Sequence, residues 1–205
     1  MQVLEMFPIP VFLEKSTGID NRALSQLIYG IQEEELAAGT AHKTGFSNIG
    51  GFRSYEILQR PGVEDLKKFI VETLNRQVLK GKWYAEDEID ESFVSGMWAM
   101  INKKGHANSA HIHPDSWLSG VYYPKVPSNP GLAGALCFHD PIATRTFTQS
   151  FYRSVQAEVF MVTPQEGLMV IFPSWFEHSV KANQSDEDRI SIAFNIRRQQ
   201  AVGRR

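Results

Sequence analysis

The chain has 205 residues, 42% hydrophobic and 21% charged, with a formal net charge of −2; this suits one domain, 1–205, with a real core and gives no electrostatic reason to expect a nucleic-acid partner. Its one cysteine, Cys137, can form no internal disulfide, which fits a reducing cytoplasm, and the surrounding run Leu132 to Phe138 marks it as a small buried hydrophobe. No stretch approaches the roughly 18 uncharged apolar residues of a membrane span, and Met1 to Phe12 lacks the basic region of a signal peptide, so a cytoplasmic protein without a membrane partner is expected.

The first 90 residues read as an arm and helices, and 91–200 as strands. The opening run Val3 to Leu13 holds Pro8 and Pro10, which predicts an edge strand or an extended arm, one that could pair with a second copy in a homodimer. Asp20 is the candidate N-cap of a helix from about Asn21 to Ala37, with Leu24, Leu27, Ile28 and Ile31 as its apolar stripe. Ser47 to Ser54 is a glycine-bearing loop, either a mobile lid or a plain connection. Pro61 opens a second helix, roughly Val63 to Leu79, with Leu66, Phe69, Ile70, Leu74 and Val78 on one face. Both stripes predict helices packed on the outside of a sheet.

From Ser92 the pattern changes to short strands. Four are expected at Phe93–Asn102, Asn108–His113, Trp117–Tyr123 and Gly134–Phe138. Four more follow at Val155–Val162, Gly167–Phe172, Phe176–Lys181 and Arg189–Ile196. Eight short strands separated by turn-rich segments argue for a sandwich or jelly roll. In the last strand Arg189, Ser191, Ala193 and Asn195 alternate with Ile190, Ile192, Phe194 and Ile196. One face would line something polar and the other would pack under the helices. The basic end, Arg197, Arg198, Arg204 and Arg205, reads as a solvated tail.

Chemistry concentrates in His111-Ile112-His113-Pro114-Asp115. In an extended chain His113 and Asp115 point to one face, and His178 lies far enough downstream for a sandwich to return it beside them. Two imidazoles and a carboxylate form the facial triad of non-haem Fe(II) oxygenases. Two assignments stay open. Either His113 and Asp115 bind with His111 beside them, or His111 and His113 bind with Asp115 outside. The first supplies a carboxylate, which suits Fe(II), and is preferred. Arg189, on the polar face of the last strand, can hold a carboxylate through two parallel hydrogen bonds. A metal and such an arginine in one domain suggest a bound 2-oxo acid. Tyr123 could donate to the same carboxylate or be a core tyrosine; Asn102 and Trp98 could line the same cavity.

These residues resemble a family of 2-oxoglutarate/Fe(II) oxygenases found in marine bacteria and their phages. The resemblance runs through Met6-Phe7-Pro8-Ile9-Pro10-Val11, Ser47-Asn48-Ile49-Gly50-Gly51, His111-Ile112-His113-Pro114 and Ser119-Gly120-Val121-Tyr122-Tyr123. It continues in Gly167 to Trp175, His178, and Arg189 to Asn195. It implies a double-stranded β-helix, the jelly roll of a superfamily that also resembles prolyl hydroxylases. It implies Fe(II) on His113, Asp115 and His178, and 2-oxoglutarate with its far carboxylate on Arg189, Ser191 and Tyr123. A dioxygenase that uses O2 to hydroxylate a small molecule or peptide side chain is therefore expected. Two rivals stand beside it. One is a non-catalytic cupin-like binding jelly roll, which gives no reason for Arg189 and Ser191 on an inner face. The other is an oxygenase with His111, His113 and His178 on the metal and no 2-oxo acid.

Overall fold

The computed structural model describes residues 8–41, 47–81, 89–142 and 159–197. In chain order they form β1 (Phe12–Lys15), α1 (Asn21–Ala37), β2 (Asn48–Ile49), β3 (Phe52–Arg53), α2 (Glu64–Thr73) and β4 (Val94–Asn102). Then come β5 (Ala107–His111), β6 (Leu118–Lys125), β7 (Leu136–His139), β8 (Val159–Val162), β9 (Leu168–Pro173), β10 (His178–Val180) and β11 (Arg189–Ile196). One sheet has the order β1-β9-β6-β11-β4-β3 and the other β2-β5-β10-β7-β8. Every ladder is antiparallel. This is the expected double-stranded β-helix with helices on one sheet.

Both helices form where the stripes predict, for identifiable reasons. The Asp20 carboxylate accepts the Ala23 N–H at 2.9 Å, satisfying a donor that the first turn of α1 leaves over. Glu64 and Asp65 sit in the first turn of α2, where the helix dipole favours negative charge. The second helix departs from expectation in its last turn, where Leu74–Leu79 is π-helical. There the Asn75 amide exchanges two hydrogen bonds with the backbone of Ile89, at 2.7 and 2.9 Å. Leu74 and Val78 are buried in either geometry, so periodicity does not distinguish them.

The six-stranded sheet has an apolar outer face and an inner face that mixes apolar residues with the polar side chains of β11. Its outer face packs Ile190, Ile192, Phe194 and Ile196 with Tyr122, Met169 and Ile171 against Leu24, Ile28, Leu66 and Ile70 of the helices. Its inner face sends Val121, Tyr123, Val170 and Phe172 against Leu136 and Phe138 of the other sheet. The alternation read from β11 therefore holds. Gly120 stands opposite Phe194, and a Cβ there would come within 2.3 Å of its ring.

Three segments sharpen the sequence reading. The arm contributes an edge strand, with Phe12 to Lys15 running beside Ile171 to Leu168; Met6 and Phe7 lie outside the described residues, as do Val155 to Glu158 of the expected fifth strand, whose described part starts at Val159. The tail residues Arg198, Arg204 and Arg205 also lie outside them. The 47–54 loop is a pair of two-residue strands: β2 joins β5 in one sheet and β3 joins β4 in the other. No helix among the described residues is long and apolar enough to cross a membrane.

Candidate metal centre

His111 is the last residue of β5 and His178 the first of β10, and the two are direct partners across that ladder. The chain stays extended to His113, whose N–H donates to the Ser174 carbonyl at 2.9 Å, and turns at Pro114 and Asp115. Alternation thus puts His111 and His113 on one side. The ligand nitrogens of His111, His113 and His178 all lie within 4.8 Å of one another. Asp115 falls in the turn and is exposed, outside that group.

The imidazoles are set as neutral ligands. Nδ1 of His178 lies 2.9 Å from the Phe176 carbonyl and Nδ1 of His111 lies 2.8 Å from the Ser109 carbonyl. A carbonyl only accepts, so both Nδ1 atoms carry the proton and both Nε2 lone pairs are left for a metal. The Ser47 hydroxyl lies 3.3 Å from Nε2 of His111. Burial, helped by the His111 ring, lowers the His178 pKa to about 3 and that of His113 to about 4. Burial also lowers that of His111. Three neutral imidazoles converging at this distance fit Fe(II), as they would other late divalent metals.

The histidines line a cavity of about 400 Å³ between the sheets, shared with Arg189, Ser191 and Tyr123. Arg189 is 2% exposed. Its Nη1 donates to Ser191 Oγ at 3.2 Å and to Asn102 Oδ1 at 3.4 Å, and its guanidinium lies 4.9 Å from the centre of the Tyr123 ring. Among the described residues no carboxylate pairs with it. Its Nε, the Tyr123 hydroxyl and the Asn102 amide nitrogen are buried without a hydrogen-bond partner. Arg189 and Tyr123 line the cavity, and buried polar atoms left over there call for a ligand, as a buried cation calls for an anion. Burial lowers the Arg189 pKa and raises that of Tyr123, each group opposing the shift of the other. Gly134, at φ 65°, makes room: a Cβ there would lie 2.7 Å from Cδ of Arg189.

The structure therefore gathers His111, His113, His178, Arg189, Ser191 and Tyr123 around one cavity. Asn102 stands behind the guanidinium rather than on the cavity wall. Sequence reasoning missed Ser47, Asn48 and Arg53, which also line the cavity from the β2–β3 segment. Two-residue strands carry no periodicity that would have exposed them.

Residues 96–195, which run from β4 into β11 and include the whole histidine group and Arg189, match the family described as "Putative 2OG-Fe(II) oxygenase". No curated protein matches the chain. Among solved structures, a Pseudomonas putida prolyl-4-hydroxylase is similar at 15% identity and a TM-score of 0.60, covering 93% of this chain and 94% of its own. A Trichoplax adhaerens prolyl hydroxylase in complex with a hypoxia inducible factor oxygen degradation domain peptide fragment is similar at 12% identity and a TM-score of 0.57, covering 91% of this chain and 83% of its own. HygX from Streptomyces hygroscopicus, with nickel, 2-oxoglutarate and hygromycin B bound, is similar at 12% identity and a TM-score of 0.55, covering 91% and 82%. At such identities these structures establish the shared double-stranded β-helix. The family match over 96–195 supports an oxygenase enzyme that uses Fe(II) and 2-oxoglutarate.

Proposed function

We propose that the chain is a 2-oxoglutarate-dependent hydroxylase acting on a small molecule or a peptide side chain. In this reading His111, His113 and His178 hold Fe(II), and Arg189 anchors 2-oxoglutarate. One observation carries it: three converging neutral imidazoles share a cavity with a buried arginine that no carboxylate of the described chain matches. Fe(II), when bound, supplies the activation of O2 that couples oxidative decarboxylation of 2-oxoglutarate to oxidation of a substrate C–H bond.

The remaining work falls to the protein. The carbonyls of Phe176 and Ser109 fix the His178 and His111 rings with their Nε2 atoms available. Three neutral ligands leave the charge of a divalent ion uncancelled, so the site favours a dianionic chelator. Arg189, with the Ser191 hydroxyl beside it and the Tyr123 ring against it, receives the far carboxylate and so sets the depth at which the keto acid stops. The apolar walls, Val121, Leu136, Phe172 and Val180, exclude water around these charges.

A histidine-only oxygenase that ignores 2-oxo acids would use the same metal ligands. The buried Arg189, Ser191 and Tyr123 favour the keto acid over it. Anaerobic visible spectroscopy of the Fe(II) protein tests the choice. A new charge-transfer band on adding 2-oxoglutarate supports the proposal; iron binding with no such band overturns it.

A further inference from the structure

Ser47, buried just before β2 and lining the cavity, is joined to His111 at both edges of the imidazole ring. Its carbonyl accepts the Ser109 N–H at 2.9 Å, and the Ser109 carbonyl in turn lies 2.8 Å from Nδ1 of His111. At the opposite edge its hydroxyl lies 3.3 Å from Nε2. With the ring proton on Nδ1, Nε2 can only accept, so the Ser47 hydroxyl is the donor. Asn108, also buried, donates its Nδ2 to the same hydroxyl oxygen at 3.2 Å. The one proton that Ser47 has to give is therefore aimed at the lone pair that a metal would take.

Hydroxyl and metal cannot share that lone pair. A metal on Nε2 deprives Ser47 of its acceptor, and among the described residues the hydroxyl has no other. A buried hydroxyl left unpaired is costly. The acceptor next to hand is an oxygen of whatever else the metal holds. The flank on which Ser47 stands identifies it. Asn108 also reaches Sδ of Met100 at 3.8 Å, and Met100 is the cross-strand partner of Ser191, which touches Arg189. Trp98, two residues farther along β4 from the arginine, packs on His113 instead. Ser47 thus approaches the histidines from the side of the 2-oxoglutarate anchor.

We propose that the Ser47 hydroxyl exchanges partners when the site is loaded, passing from Nε2 of His111 to the metal-proximal carboxylate of 2-oxoglutarate. It shields the ligand nitrogen in the empty protein, and in the loaded protein it orients the near end of the keto acid while Arg189 holds the far end. This rests on the oxygenase reading above. The exchange also sets an order, since the keto acid gains this hydrogen bond only after a metal has taken His111.

Ser47→Ala tests this through two affinities that should not fall together. Fe(II) affinity, titrated anaerobically without 2-oxoglutarate, should hold or rise, because the hydroxyl no longer competes for Nε2. The 2-oxoglutarate Kd, read from the charge-transfer band, should rise about tenfold. The band itself should move to longer wavelength. A carboxylate that loses a hydrogen bond gives more charge to Fe(II), and transfer into the keto group then takes less energy. Ser47→Thr keeps the hydroxyl and should lie closer to the wild type than Ser47→Ala in both Kd and band position. A fall in both affinities would mean that Ser47 merely props the site, and would overturn the proposal. An unchanged Kd, a band that stays or moves to shorter wavelength, or a Ser47→Thr protein farther from the wild type than Ser47→Ala would overturn it too. A wild-type protein that binds Fe(II) and gives no band removes the oxygenase reading and this proposal with it. A wild-type band that Ser47→Ala leaves unaltered removes this proposal alone.

Discussion

The two sheets divide the site between them, and they are built differently. Arg189 sits on β11, an eight-residue strand paired along its length with β4 and over most of it with β6, and backed by two helices. His178 begins a three-residue strand whose ladder with β5 is irregular beside it, and His111 closes a five-residue strand. Arg189, the proposed anion anchor, is therefore held by the protein alone. The imidazoles ride on short strands with few ladder bonds, and metal binding would itself supply part of their order.

The sharpest way to break this contrast is to remove a ligand. His178→Ala should lower Fe(II) affinity by more than about 100-fold and abolish succinate formation, measured by iron titration and product assay. Paired with it, His111→Ala should lose the metal while Asp115→Ala keeps it; the reverse outcome would return the carboxylate to the site. Next in size, Arg189→Met should leave Fe(II) bound but weaken 2-oxoglutarate by about 100-fold, read from titration of the charge-transfer band. Hydrogen exchange sharpens the comparison directly. Adding a divalent metal should slow exchange in β5 and β10 far more than in β11, and equal protection of both sheets would refute the division. Gly134→Ala adds a methyl against the Arg189 stem at a positive φ, and should cost about 1–3 kcal/mol along with some 2-oxoglutarate affinity, measured by denaturant unfolding and band titration. Smallest is Asp20→Ala, which removes a cap far from the cavity and should cost about 1 kcal/mol with metal binding intact.

The same contrast explains what the sequence made legible. The long strand β11 displayed its alternation openly, so the inward Arg189 and Ser191 and the outward Ile190, Ile192, Phe194 and Ile196 could be assigned from pattern alone. The His-Ile-His-Pro-Asp run did not settle its ligands, because alternation orders side chains only while the chain is extended. The turn at Pro114 and Asp115 ends that order after His113. Arg53 escaped notice for a related reason: β3 is two residues long, and its place beside β4 comes from long-range pairing. The π-helical end of the second helix was hidden because Leu74 and Val78 satisfy the core in either form.

The corner between β2 and β3 has a further consequence. Its two strands are the terminal members of different sheets, with only Gly50 and Gly51 between them. One short piece of chain therefore occupies the borders of both β4 and β5, where unpaired N–H and C=O groups would otherwise invite another polypeptide to add on. Its tight corner depends on Gly50 at φ 78°, and on Gly51, where a Cβ would come within 2.9 Å of the Asn48 side chain. The residues that bring Ser47 and Arg53 to the cavity also guard the protein against edge-to-edge self-association, so damage at this corner would show as loss of solubility together with loss of the site.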